Sequence, residues 1–125
     1  MIITSEYKYK LNWQKCPRNG WLDFLAFSLE GELAVGAEGI YMIWHGVENP
    51  AVVCVGQGNI KNELAARRQE QKILQHKDKG LFVSWAEVCS AYREGAQKYL
   101  MNLWQPKLSE AHFNLLPVKV NSPWE

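Results

Sequence analysis

Cysteine is scarce in this 125-residue chain: Cys16, Cys54 and Cys89 lie far apart, with no CxxC pair. An odd, scattered set argues against a disulfide framework and against a thiolate zinc site. Histidine is equally sparse, and His45, His76 and His112 share no metal-ligand spacing. An excess of either charge is also lacking, since 14 Lys and Arg against 13 Asp and Glu leave a net charge of +1. Non-specific DNA binders carry a clear basic excess, because neutralising phosphates supplies their affinity. Any nucleic-acid role here therefore rests on a local patch. No apolar run approaches the ~18 residues of a membrane span. The stretch Met1-Ile2-Ile3-Thr4-Ser5-Glu6 does not read as a signal peptide. The expected location is cytoplasmic, with reduced thiols and no membrane partner.

What is present is core material. Apolar residues make up 47% of the chain, and six Trp give enough bulk for one real core. The length suits one domain. Residues 1–37 read as an irregular segment packed on a domain of residues 38–125 that ends in a Pro-punctuated tail. Within the front segment, Tyr7 to Trp13 alternates in polarity and is a candidate strand. Cys16-Pro17-Arg18-Asn19-Gly20 has turn chemistry. Trp21 to Leu33 is aromatic-rich and is expected to lie over the core, with a short helix.

From Gly39 the pattern sharpens. Gly39 to Trp44 is β-branched and aromatic and reads as a strand, and Ala51 to Val55 reads as its apolar partner. Gly56-Gln57-Gly58-Asn59 is expected to turn, with Asn59 capping a helix over 60–76. Leu81 to Ala86 reads as a third strand. Glu87 to Trp104 reads as a second long helix, with Val88, Tyr92, Ala96, Tyr99 and Leu103 on its apolar face. The order β-β-α-β-α predicts the α+β class, a three-stranded mixed or antiparallel sheet flanked by helices.

That order carries Gly39-Ile40-Tyr41 on the first strand and Cys54-Val55-Gly56-Gln57-Gly58 at the end of the second. Beyond them come Asn59-Ile60-Lys61-Asn62-Glu63-Leu64 and a helix closing on Gln105-Pro106-Lys107-Leu108. Over residues 38–110 the chain resembles the GIY-YIG nuclease superfamily. Trp44-His45-Gly46 and Val118 to Trp124 resemble a subgroup of small stand-alone members. The resemblance implies divalent-metal-dependent hydrolysis of DNA phosphodiesters. A glutamate gives Mg²⁺ an anionic oxygen, an arginine stabilises charge on the phosphate, and a tyrosine positions or deprotonates the attacking water.

Carried over residue by residue, the site is degenerate. Tyr41 matches the tyrosine of the first triplet, and also suits a half-buried strand aromatic. Cys54 replaces the tyrosine of the second triplet, and also reads as a small core residue. Glu63 stands at the arginine position and Gln97 at the metal-binding glutamate position. An amide offers a metal no charge, and Glu63 sets like charge against an incoming phosphate. At ~4–5 Å that repulsion reaches a few kcal/mol, comparable with the ~3–4 kcal/mol of one transition-state donor. No residue is thus a confident metal ligand, and Mg²⁺ is implied only if the chain cuts.

Arg67 leans back toward Glu63 and is a possible substitute arginine, or else an i,i+4 partner of Glu63. Glu94 leans away from Gln97. Arg67, Arg68, Lys72 and Lys77 form a candidate phosphate-binding face, interleaved with Glu63, Glu70 and Asp78. The expected function is nucleic-acid binding with phosphodiester cleavage lost or strongly reduced. The alternatives are an active Mg²⁺-dependent DNA endonuclease with displaced residues, and a protein-interaction module.

Overall fold

The computed structural model describes residues 7–15, 20–29, 36–108 and 116–125. The turn read at Cys16–Gly20 falls mostly outside the described residues, as do residues 30–33 of the aromatic-rich stretch and His112. The fold is α+β, with an antiparallel sheet of four strands where three were expected. The strands are β1 (Leu22–Asp23), β2 (Glu38–His45), β3 (Ala51–Asn59) and β4 (Phe82–Glu87), in the spatial order β1-β4-β2-β3. The extra strand comes from the front segment: Leu22 and Asp23 pair with Val83 and Phe82. The short helix expected there is replaced by a turn in which Asp23 accepts from the backbone N–H groups of Leu25 and Ala26.

The central strand β2 is buried on both faces, which explains its near-continuous apolar sequence. Its alternate side chains enter two layers. Tyr41 and Ile43 face a layer with Phe24, Phe27, Ile60, Leu64 and Trp85. Ile40, Met42 and Trp44 face a layer with Leu11, Trp13, Ala96 and Leu100. Val53 and Cys54 are neighbours in sequence yet both belong to the Tyr41 layer, because the β2–β3 register shifts beside them.

The expected turn at Gly56–Asn59 is instead the continuation of β3, paired with Tyr41 back to Glu38. Glycine is needed at Gly56 because an added Cβ would lie 2.2 Å from the Tyr41 hydroxyl. Asn59 caps as expected, its Oδ1 accepting from the Asn62 N–H at 3.0 Å.

The single helix expected over 60–76 is broken into α1 (Ile60–Arg67), α2 (Gln71–Leu74) and a 3₁₀ turn at Lys77–Lys79. A straight helix would send Arg67, Arg68, Gln71 and Gln75 inward below Leu64. Turning at 68–70 buries Ile73 instead. The second long helix, α3 (Ser90–Trp104), starts later than expected because Glu87 stays in β4, opposite Gly39.

The front segment and the tail close the α3 layer together. Tyr7 to Trp13 forms no named strand; Tyr9 makes one parallel bridge to Val120. Asn121 accepts from the Leu11 N–H at 2.5 Å and donates to the Leu11 carbonyl at 3.0 Å. Trp13 Nε1 donates to the Asn121 carbonyl at 2.9 Å. Among the described residues no helix is long and apolar enough to cross a membrane.

Candidate functional site

Tyr41 is completely buried, and its hydroxyl emerges under the last turns of α1. Glu63 and Arg67, one turn apart on one face of α1, both reach it, and Glu70 just beyond the helix joins through Arg67. The Tyr41 hydroxyl donates to Glu63 Oε1 at 2.9 Å and accepts from Arg67 Nε at 2.7 Å. Arg67 Nη1 then pairs with Glu70 Oε1 at 2.8 Å. The lean of helical side chains toward the N-terminus brings Arg67 back to the Tyr41 hydroxyl, while the ion pair it makes is with Glu70. Glu70 was not foreseen, although its i,i+3 spacing from Arg67 was a signal for it.

The electrostatics follow from burial. Desolvation pushes the Tyr41 phenol far above its usual range, with Cys54 and Glu63 acting in the same direction. The hydrogen bond and charge of Arg67 oppose this without overcoming it. The phenol is therefore protonated at neutral pH and serves as a fixed donor and acceptor, not as a base. One guanidinium stands against two carboxylates, so the cluster is anionic on balance and disfavours an incoming phosphate.

Cys54 sits in the same layer as Tyr41, buried and close enough to act on the phenol electrostatically. Gln97 does not join them. It belongs to α3, which packs on the opposite face of the sheet, and is 5% exposed. Its Nε2 donates to the Val55 carbonyl at 2.9 Å, and its Oε1 is buried with no partner. Glutamate could not make that donation. A neutral, enclosed oxygen is also a poor fit for Mg²⁺, which wants anionic oxygens and room for its waters. Among the described residues no group of three or more His, Cys, Asp or Glu converges to hold a cation.

The basic residues divide as well. Arg68 turns inward: Nε donates to the Phe24 carbonyl at 2.9 Å, Nη2 to that of Phe27 at 2.6 Å, and its guanidinium lies 5.0 Å from the Phe27 ring. It fastens the 20–29 segment to the end of α1 through those backbone oxygens. Lys72 and Lys77 are exposed, on α2 and the 3₁₀ turn.

Comparison of the chain with protein-family models, with curated proteins and with solved structures returned no match.

Proposed function

We propose that this chain is a GIY-YIG-like domain that binds nucleic acid, with phosphodiester cleavage lost or strongly reduced. The observation that carries the reading is the bracketed Tyr41 hydroxyl, which donates to Glu63 and accepts from Arg67. A phenol committed this way cannot deprotonate water, and the arginine beside it is already shared with Glu70. The amide at Gln97 supports the same reading, because its hydrogen bond serves the sheet rather than a cation. Binding falls to Lys72 and Lys77, whose exposed ammonium groups suit phosphate contacts.

One observation favours the active endonuclease as a second reading: Arg67 does reach the Tyr41 hydroxyl from one turn beyond the expected arginine position. A plasmid-nicking assay with Mg²⁺, run beside a salt-dependent binding titration on duplex DNA, separates the two. The expected result is no nicking and binding that weakens in Lys72→Gln/Lys77→Gln. Nicking that Tyr41→Phe abolishes would establish the enzyme. Failure to bind single- or double-stranded DNA at micromolar protein would leave the protein-interaction module.

A further inference from the structure

The other end of β2 carries a second polar cluster, of opposite character. His45 closes the strand opposite Ala51, and its ring stacks on that of His76 with centroids 5.6 Å apart and planes 27° apart. His76 follows α2, and its carbonyl accepts from the Lys79 N–H at 3.0 Å, which holds Lys79 in the same turn. Lys107 enters from beyond α3, its N–H donating to the Val52 carbonyl at 3.1 Å, one residue from the partner of His45. Three segments distant in sequence thus bring together two imidazoles and two exposed lysines.

Nothing among the described residues balances them. Among the described residues no carboxylate is paired with Lys79 or Lys107. The charges that act on His45 are those of Lys79, His76 and Lys107, and those on His76 are Lys79 and Lys107. Among the described residues, Glu48 in the β2–β3 turn and Asp78 on the 3₁₀ turn are the nearest acids along these segments, and both are exposed. His45 Nε2 is buried with no hydrogen-bond partner. An orphaned nitrogen is costly, and more so once protonated. A stacked pair of imidazoles beside two exposed lysines is a set of groups whose chemistry suits a tetrahedral oxyanion.

We propose that His45, His76, Lys79 and Lys107 form a phosphate-binding site that strengthens as the imidazoles take up protons. The site stands apart from the Tyr41 cluster, four residues or about 13 Å along β2, and does not depend on how that cluster is read. Burial and the two lysines hold both imidazoles below their ordinary range, so the pair is neutral at neutral pH. A bound phosphate anion reverses that balance, and by linkage imidazole protonation and phosphate binding favour each other. The phosphate can belong to a nucleic-acid backbone or to a free phosphorylated compound; the chemistry of recognition is the same.

The test is an NMR titration of the full chain with inorganic phosphate at fixed ionic strength, following the imidazole resonances of His45 and His76. Phosphate is expected to raise both imidazole pKa values and to bind roughly fivefold more tightly at about pH 5.5 than at about pH 7.5. Lys79→Gln/Lys107→Gln should abolish the saturable response with unchanged circular dichroism, while Tyr41→Phe leaves it intact. A parallel titration with a short duplex assigns the source. Saturation on the same resonances marks a phosphodiester, and response to phosphate alone marks a free phosphorylated ligand. A response equal to that of chloride, or one that survives the double lysine variant, overturns the site.

Discussion

The two ends of the central strand solve the problem of buried polarity in opposite ways. At the Tyr41 end every polar group on view is answered from within: phenol to Glu63, Arg67 to phenol, Glu70 to Arg67. At the His45 end two imidazoles and two lysines lie together with no carboxylate paired to them among the described residues. A closed network rigidifies, because each member is expensive to leave unpaired. An open cluster of one sign costs stability and is suited to a partner of the other sign. The Tyr41 end is thus built like a core, and the His45 end is left open to a partner of opposite charge.

The largest test of that contrast is to dismantle the closed end. Tyr41→Ala removes a wholly buried aromatic and its hydroxyl, and is expected to cost ~3–5 kcal/mol in denaturant unfolding. Tyr41→Phe keeps the ring and should cost ~1–2 kcal/mol, the penalty of leaving Glu63 and Arg67 without the phenol. A neutral Tyr41→Phe would mean that the network is not closed. Gln97→Glu is next, at roughly 2–4 kcal/mol near neutral pH, because it sets a buried carboxylate against the Val55 carbonyl. Such a carboxyl has a raised folded pKa, so the loss should shrink as pH falls. Full rescue by Mg²⁺ would instead restore position 97 to a metal site.

The smallest effect belongs to the open end. His45 and His76 titrate below their ordinary range when folded, so the unfolded chain takes up protons first. Stability should be complete above the ordinary imidazole range of about 6.5 and decline as pH falls through it. His45→Gln/His76→Gln should flatten that slope in thermal melts, and Lys107→Gln should lessen it. An unchanged slope in the histidine double variant would detach the pair from the acid response.

How much of this was legible varied with the physics. The cores of β2, β3 and β4 and the Asn59 cap followed from β-branched runs and side-chain capping, both local properties. The break after Arg67 did not, because it depends on where Ile73 finds a buried place and on the carbonyls of Phe24 and Phe27 drawing Arg68 inward. The strand character of Gly56–Asn59 was hidden by its composition. Two glycines in four residues look like a turn until the Tyr41 ring shows why a side chain at Gly56 is intolerable. In the candidate site, the backward lean of Arg67 follows from helix geometry, whereas its pairing with Glu70 depends on the break that comes after it. The separation of Gln97 from Tyr41 was not legible, since no local pattern says which side of a sheet a distant helix covers. The His45–His76 stack likewise joins residues 31 positions apart in sequence, with no shared motif.

The outer margin of β3 has a consequence for assembly. Strand margins with open carbonyls invite another chain to pair with them. Here Lys107 and Leu108 donate to the carbonyls of Val52 and Val53, and Gln97 donates to that of Val55. The opposite margin belongs to a strand of two residues, too short to template an addition. Growth of the sheet by accretion of further copies is therefore blocked on the long side and starved on the short one. The amide at position 97 is in this light one of the stoppers that keep a valine-rich strand from recruiting its own kind.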